Sequence, residues 1–404
     1  MHRLPPLPAV SAGLLAAFVG FTSSFSVILQ GLGAMGATRL EAASGLMALS
    51  LAMGLCGIVL SLKTRMPVSI AWSTPGAALL ATSAMPVGGF TAAVGAFVVA
   101  GMLVVLAGLV RPLGRLVGRL PASLANAMLA GILFSLCLAP VRAIAAEPMA
   151  GLSVAGTWLV VSRLNRLLAV PAAALVAIGI IAATHAGDLS ALGTTHPAPV
   201  FVVPDFTLQS VIGIALPLFL VTMASQNIPG LAILKVNGYA PAPGPLFVAT
   251  GVFSLGAAPF GGHAVNLAAI TAAICAGEEA GPDRDRRFWS GVVSGLAYIG
   301  FGLAAGLVTA FASLSPLLIQ AVAGLALIGA FSGAVHAAMA APGEREAATL
   351  TFLVTASGIA ILGISAPFWG LLAGAILLFV GRRKIAAQPA AATASSPADH
   401  PQAS

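Results

Sequence analysis

Long apolar runs separated by short polar breaks cover most of this chain. Each run is close to the roughly 20 residues that an α-helix needs to cross about 30 Å of hydrocarbon, and Gly, Pro or charged residues mark the breaks. The pattern predicts an all-α integral membrane protein with about fourteen transmembrane spans. The predicted spans are 8–30, 41–62, 67–85, 89–110, 121–140, 149–163, 167–185, 207–234, 243–257, 259–276, 288–312, 315–340, 346–364 and 366–381.

The basic residues indicate the orientation of these spans. With the N-terminus in the cytoplasm, every Lys and Arg except Arg39 and Arg142 falls in an internal loop or tail, as the positive-inside rule requires. Losing or adding one span would invert every later loop and destroy this distribution. The count of fourteen therefore has support beyond hydropathy, and both termini are expected on the cytoplasmic side of a bacterial-type inner membrane.

The longest external loop, at about 186–206, divides the spans into two sets of seven. Because seven is odd, the two halves have opposite orientations. This is the arrangement of inverted-repeat transporters, which alternate access around a site near the membrane midplane.

Composition excludes several classes of protein. The chain is 59% hydrophobic and 7% charged, whereas soluble domains are about 25% charged. The formal charge of +7 is spread over short loops rather than gathered with aromatic residues on one face, so lipid rather than nucleic acid is the expected partner. No metal-ligand spacing, phosphate loop or nucleophile–base pattern occurs, so we expect neither an enzyme nor a cofactor nor a metal.

The third span of each half is interrupted. In span 3 an extended-looking apolar stretch meets a break at Pro75 and Gly76, and in span 10 the residues Pro259, Gly261 and Gly262 precede an Ala-rich segment. Matching interruptions in two opposed halves indicate a binding site. The alternative is that Pro and Gly only kink two ordinary spans.

If half-helices begin near Ser73 to Gly76 and near Gly262 to His263, their unpaired N–H groups and positive dipole ends face the middle of the membrane. Such ends can hold a carboxylate without a buried Lys or Arg. The candidate substrate-binding residues at these two positions are Ser73, Thr74, Gly76, Phe260, Gly261, Gly262, His263 and Asn266.

His263 and Asn266 are three residues apart, which predicts that they share one helix face turned toward the protein interior. An imidazole changes charge in the physiological range, so His263 is the candidate for proton coupling. A membrane-embedded histidine with only a structural role is the competing interpretation.

Polar residues also cluster in spans 1 and 8. Gln226 and Asn227 in span 8 can offer amide hydrogen bonds to a substrate, and Ser23 and Ser24 are their counterparts in span 1, where Ser23, Ser26 and Gln30 follow a helical stripe. Helix–helix hydrogen bonding explains the same residues. Phe25, Phe219 and Phe260 are candidates to stack on an aromatic ring, although aromatic residues in spans usually serve packing.

All acidic residues lie outside the predicted membrane interior. Proton coupling would then use His263, a carboxylate at the edge of the site such as Glu41, or a proton that travels on the substrate. The sequence leaves these three routes open.

Two runs carry a family resemblance: Thr222 to Leu231, and Ala258 to Gly277 with its Pro-Phe-Gly-Gly-His-Ala-Val-Asn segment. With the Pro75-Gly76 break, they resemble the benzoate/proton symporter family, often called BenE-like. The resemblance implies an inner-membrane importer of benzoate, or a similar small aromatic carboxylate, coupled to protons. Homodimers occur in related folds, so a homodimer is an expectation.

That family resembles, more distantly, the nucleobase permeases and anion exchangers with seven-plus-seven inverted repeats. The resemblance implies a core of spans 1–4 and 8–11 and a gate of spans 5–7 and 12–14. The implied division is a cytoplasmic N-terminus at 1–7, core parts at 8–110 and 207–312, gate parts at 121–185 and 315–381, and a disordered cytoplasmic tail at 385–404. Where nucleobase permeases place glutamates in spans 8 and 10, this chain has Gln226 or Asn227 and His263 or Asn266.

Two alternatives stay open. One is a transporter of the same fold for another solute, such as a nucleobase, a different organic anion or an inorganic anion. The other is an uncoupled facilitative anion pathway, which would not accumulate its solute against a gradient.

Overall fold

The computed structural model describes residues 4–110, 121–184, 198–362 and 364–386 of the 404-residue chain. These residues are almost entirely helical, as the apolar pattern predicts. The elements of the first half are α1 (Leu7–Thr22), α2 (Phe25–Ala34), α3 (Arg39–Thr64), β1 (Ile70–Trp72), α4 (Thr74–Thr82), α5 (Gly89–Leu109), α6 (Ala122–Cys137), α7 (Ala139–Ala146), α8 (Pro148–Leu164) and α9 (Ala169–Thr184).

The second half repeats this order. Its elements are α10 (Leu208–Val236), α11 (Pro243–Ala257), β2 (Val265–Leu267), α12 (Ile270–Ala276), α13 (Phe288–Leu303), α14 (Ala305–Leu314), α15 (Pro316–Ala338), α16 (Arg345–Ala356), β3 (Ala360–Ile361), β4 (Ile364–Ser365) and α17 (Ala366–Ala386). Residues 111–120 of the predicted internal loop, residues 185–197 of the predicted external loop and residues 387–404 of the predicted tail lie outside the described residues.

Each predicted span has a helical counterpart. Within the described ranges, seven helical segments are long and apolar enough to cross a membrane, and an eighth is added if α13 and α14, bent by 58°, form one span. α9 and the apolar part of α17, Ala366–Val380, are shorter apolar helices, while α4 and α12 are the half-length helices expected in spans 3 and 10. The predicted span at 288–312 is therefore bent rather than straight, and Gly302 and Gly306, both weak helix formers, flank the bend.

The first span is broken, which the sequence pattern does not predict. α1 ends at Thr22 and α2 begins at Phe25. The hydroxyl of Ser24 donates to the carbonyl of Gly20 at 2.9 Å, a local bond that competes with the helical ladder. Ser23 therefore lies in the break, and the predicted stripe of Ser23, Ser26 and Gln30 along one continuous helix is wrong.

The structure also corrects the ends of the last two spans. α16 ends at Ala356, where Gly358 has a φ of 65°, a left-handed conformation that commonly ends a helix. The β3–β4 pair then takes the place of the predicted helical residues up to 364. α17 continues to Ala386, so the predicted tail at 385–404 has helical residues at its start.

The lead-in segments of the two half-helices pair with each other. β1 and β2 are antiparallel, with Ile70 opposite Leu267, Ala71 opposite Asn266 and Trp72 opposite Val265. Every residue of this two-stranded sheet is buried except Ala71, which is partly exposed. Because the paired backbone stays extended through Leu267, the second half-helix cannot begin until Ile270.

The predicted start of the second half-helix near Gly262 to His263 is therefore wrong, whereas the start near Ser73 to Gly76 is confirmed by α4. His263 precedes β2 and Asn266 lies within it. These two residues consequently do not share a helix face, and His263 does not cap a helix.

The helices form two bundles. In one bundle α3 packs on α13, α5 on α11 and α1 on α13. In the other, α6 packs on α15 and α16, α16 on α17 and α8 on α9. We call these the first and second bundles; they meet where α2 and α4 contact α15 and α6. The α3–α13 contact is close because it places Gly54 against Gly295, the small-residue packing that lets membrane helices approach each other.

Candidate substrate-binding site

A cavity of about 100 Å³ lies at the meeting of the two bundles. A site for one water needs only about 10–15 Å³ in the same measure, so this cavity has room for a small solute. The first bundle contributes Val19, Gly20, Ser23, Ser24, Met53, Ala71, Trp72, Thr74, Pro75, Gln226, Ala268, Ala269, Thr271 and Tyr298, and the second contributes Leu133, Ala326, Leu327 and Ala330.

The N-terminal turn of α4 forms one wall of this cavity. Thr74 and Pro75 line it, and Ser73 caps the helix because its Oγ accepts a hydrogen bond from the Gly76 N–H at 3.1 Å. The same hydroxyl lies 2.8 Å from the Thr222 Oγ1 of α10. The first N–H groups of a helix lack intrahelical partners and carry the positive end of its dipole, so this wall favours a negative charge.

The break between α1 and α2 forms the adjoining wall. Gly20, Ser23 and Ser24 line the cavity there. The Ser24 hydroxyl accepts a hydrogen bond from the indole Nε1 of Trp72 at 2.8 Å while it donates to Gly20. Ser24 therefore links the break between α1 and α2 to β1, the strand that leads into α4.

Aromatic rings form the apolar part of the cavity. Trp72 and Tyr298 both line it, with ring centroids 6.5 Å apart, and Phe21 packs behind Trp72 at 5.4 Å. Phe25 stacks on Phe21 at 5.8 Å and does not line the cavity. A planar apolar solute would thus meet Trp72 and Tyr298, not the phenylalanines that the sequence suggests.

Phe260 and Phe219 likewise lie away from the cavity lining. Phe260 packs edge-on against Phe201 at 5.8 Å, and Phe219 is buried within α10. Stacking on these two side chains therefore has no support in the geometry of this cavity.

His263 is fully buried behind the cavity rather than in its wall. Its Nε2 lies 2.9 Å from the carbonyl oxygen of Ser73. Because a carbonyl can only accept, Nε2 carries the hydrogen and Nδ1 is left as an acceptor; among the described residues Nδ1 has no hydrogen-bond partner. His263 thus ties the second half of the chain to the N-cap residue of α4.

The span 8 amides separate into two environments. Gln226 lines the cavity, whereas Asn227 is fully buried and its Oδ1 accepts from the Leu267 N–H of β2 at 2.9 Å. Both belong to a π-helical turn, Met223–Asn227, a distortion that occurs often at functional sites. Asn266 is also fully buried, and its Nδ2 donates to the Leu267 carbonyl at 2.8 Å.

Four predicted site residues line the cavity: Ser23, Ser24, Thr74 and Gln226. Ser73 and Gly76 form the cap directly behind the cavity wall. The remaining candidates, whose part in binding stays a prediction, lie behind or beside it; they are Phe25, Asn227, Phe260, Gly261, Gly262, His263 and Asn266.

Sequence reasoning did not single out Trp72, Tyr298, Gly20 or Thr271 as lining residues. Trp72 directly precedes the Ser-Thr-Pro-Gly break, and Tyr298 is one of only two tyrosines in the chain and lies within a span. Those two signals could have identified the aromatic wall. Neither Gly20 nor Thr271 carries a comparable signal.

The fold of this chain is similar to that of two solved membrane proteins. It matches the transmembrane domain of the cyanobacterial bicarbonate transporter BicA, with a TM-score of 0.61 and 17% identity over 93% of this chain and 98% of that one. It also matches the murine anion transporter Slc26a9 in its inward-facing state, with a TM-score of 0.56 and 12% identity over 95% of this chain and 69% of that one. The protein has the seven-plus-seven inverted-repeat fold, as predicted.

Residues 4–380 match the family model BenE, described as benzoate membrane transport protein. The chain belongs to this family, which confirms the resemblance found in its motifs. It is 40% identical over 385 residues to the inner membrane protein YdcO of Escherichia coli strain K12, covering 94% of this chain and 97% of that protein. It is 33% identical over 383 residues to the benzoate membrane transport protein of Acinetobacter baylyi, covering 93% and 95%. The prediction of a transporter rather than an enzyme is confirmed.

Proposed function

We propose that this protein imports benzoate, or a similar small aromatic carboxylate, together with protons across a bacterial inner membrane. The family and the name of the Acinetobacter relative support this substrate class. The observation that carries the proposal is the cavity itself, because it joins a helix N-terminus at Thr74 and Pro75 to the rings of Trp72 and Tyr298.

This arrangement suits an amphipathic anion. No Asp, Glu, Lys, Arg or His is among the described residues that line the cavity, so a carboxylate would meet neither repulsion nor a fixed counter-charge. The N–H of Thr74, with the hydroxyls of Ser23 and Thr74 and the amide of Gln226, would hold its oxygens. Pro75 has no N–H, and the Gly76 N–H already donates to Ser73. An aromatic ring would contact Trp72 and Tyr298.

Alternating access follows from the two sides of the cavity. The polar lining comes from the first bundle, and the second bundle offers only Leu133, Ala326, Leu327 and Ala330. We propose that the first bundle, formed by the predicted core spans, carries the substrate past this apolar surface of the predicted gate. Such a surface can slide against the core without breaking hydrogen bonds.

We propose that the transported proton travels on the substrate carboxylate. Of the other two routes, Glu41 is engaged in a helix cap, where it accepts from the Thr38 N–H at 2.7 Å, and His263 lies outside the cavity lining and donates to Ser73. Each of these two groups would have to give up its structural hydrogen bond in order to carry the proton.

The test is uptake of radiolabelled benzoate into proteoliposomes that hold the purified protein. With an inward proton gradient we expect accumulation above equilibrium, and we expect that accumulation to vanish when an ionophore collapses the gradient. Uptake that persists without the gradient would indicate a facilitator. Competition by a panel of nucleobases, other aromatic acids and inorganic anions decides the substrate, since absence of benzoate uptake would overturn the proposal.

Substitution of His263 separates a structural role from a role in carrying the proton. His263→Ala removes the bond to the Ser73 carbonyl, which still accepts from the Ala77 N–H at 2.8 Å. Losing one hydrogen bond typically costs about 0.5–1.5 kcal/mol, so we expect uptake to fall about three- to tenfold. His263→Gln supplies an amide donor that does not titrate, and we expect it to retain both uptake and dependence on the proton gradient.

His336→Gln is the matched control, because His336 lies near the end of α15 and lines none of the described cavities. The same proteoliposome assay reads all three variants. If His263→Gln still equilibrates benzoate but no longer accumulates it, then His263 carries the proton and the substrate-borne route is wrong.

A further inference from the structure

Two larger cavities lie between the bundles at the end of the molecule that the charge pattern places outside. One has a volume of about 530 Å³ and the other about 280 Å³. Gln30 of α2 and Gln320 of α15 line both cavities. Since these two residues belong to opposite bundles, the cavities form one region along the outer seam.

The charges of this region have a single sign. Arg142 lines the larger cavity and Arg39 the smaller one. These are the two basic residues that the positive-inside pattern assigns to the outer side, and no Asp or Glu is among the described residues that line either cavity. Arg142 is exposed, and within the described part of the chain its guanidinium has no hydrogen-bond or ion-pair partner.

Polar residues of α2 line the central cavity and both outer ones. Ser24, the N-cap residue of α2, lines the central cavity, Ser26 lines the smaller outer cavity and Gln30 lines both outer cavities. The Ser26 Oγ and the Gln30 Oε1 are buried with no hydrogen-bond partner among the described residues. Buried polar groups are normally paired. The Ser26 hydroxyl can donate to an anionic ligand, whereas the Gln30 Oε1 only accepts and would be satisfied by water.

We propose that the larger outer cavity is a second binding site, at which Arg142 captures the substrate carboxylate before it reaches the central cavity. Arginine holds a carboxylate through two parallel N–H donors, and the amides of Gln30 and Gln320 add donors from both bundles. This inference rests on the proposed function, because it takes a small carboxylate as the ligand.

The first experiment measures the electrostatics of the site without requiring transport. Ser357 lines the larger cavity and is exposed, so we place a reporter there as Ser357→Cys, with Cys56, Cys137 and Cys275 replaced by alanine. Purified protein in detergent is labelled with an anionic and a cationic methanethiosulfonate reagent of similar size. Detergent exposes both ends of the protein, so the result does not depend on orientation.

We expect the anionic reagent to be favoured, and Arg142→Gln to lower the anionic-to-cationic rate ratio about three- to tenfold, an effect that high salt diminishes. Benzoate at millimolar concentration should slow labelling only when Arg142 is present. Arg163→Gln is the control, because Arg163 of α8 is exposed and lines none of the three cavities. An unchanged ratio in Arg142→Gln, or equal benzoate protection with and without Arg142, would overturn the proposal.

The second experiment is the KM of uptake in proteoliposomes. Arg142→Gln should raise KM about three- to tenfold with the maximal rate unchanged, and Arg142→Lys should recover part of that loss. An unchanged KM in Arg142→Gln contradicts the capture site. If benzoate protects Ser357→Cys in an Arg142-dependent manner but wild-type protein shows no uptake, the outer site stands and the proposed transport function fails.

Discussion

Replacing Gly20 by alanine is expected to lower benzoate uptake at least tenfold. Gly20 lines the central cavity, and a Cβ at this position would overlap the phenolic oxygen of Tyr298. Tyr298 is 2% exposed and packs against Trp72, so its ring can yield only by displacing the aromatic wall. Overpacking of this kind typically costs about 1–3 kcal/mol, and here the displaced atoms form the site.

A second substitution tests that cause directly. Tyr298→Phe removes the overlapping oxygen. The new Cβ would then lie 3.2 Å from the Thr271 Cγ2 and 3.4 Å from the ring Cζ, contacts that a shift of a few tenths of an ångström relieves. Gly20→Ala combined with Tyr298→Phe should therefore recover much of the uptake lost by Gly20→Ala alone. Initial rates for both single variants and the double variant give the coupling energy. If the two losses simply add, the predicted steric conflict is not the cause.

Replacing Gly54 by alanine is expected to lower the stability of the protein substantially. A Cβ on Gly54 would lie 2.5 Å from the carbonyl oxygen of Gly295 and 2.9 Å from the Ile299 Cγ1. A backbone atom cannot rotate out of the way as a side chain can. The helices α3 and α13 must therefore move apart where they pack in the first bundle. We expect a cost of about 1–3 kcal/mol or more, seen as a lower thermal unfolding midpoint in detergent.

Gly57→Ala is the matched control on the same helix. The nearest atom to a Cβ on Gly57 is the Ile70 Cγ1 at 3.7 Å, so the same substitution one turn away should leave the midpoint nearly unchanged. Equal midpoints for the two variants would mean that the α3–α13 contact is looser than this geometry implies.

Much of the fold is predictable from the chain because membrane spans are local features. Fourteen apolar runs, the distribution of Lys and Arg and the Pro75-Gly76 break each depend on nearby residues only. They lead to the right helices, the right repeat and the right start for α4. The start of the second half-helix fails because β2 is held by β1, which lies far away in sequence.

The same distinction between local features and long-range contacts explains which residues of the candidate site are predictable. Ser23, Ser24, Thr74 and Gln226 are polar residues in apolar spans, and local context suffices to select them. Trp72 and Tyr298 come together only through packing of the two halves.

His263 is a candidate for proton coupling because it is a titratable group in a span. In the structure its side chain instead donates a hydrogen bond to the carbonyl of Ser73. Its burial behind the wall could not be read from sequence because that bond joins two halves of the chain.

The pairing of β1 with β2 has a consequence for the shape of the substrate. An antiparallel pair has a local twofold axis, here passing between Ala71 and Asn266, which makes Ser73 and Thr74 the symmetry mates of Ala268 and Ala269. The symmetry mates differ in chemistry, because Thr74 brings a hydroxyl to the cavity lining where Ala269 brings only a methyl group. If the proposed carboxylate binds here, this difference favours the orientation that points the carboxylate toward Thr74, and a second carboxylate directed at Ala269 would find no side-chain donor there.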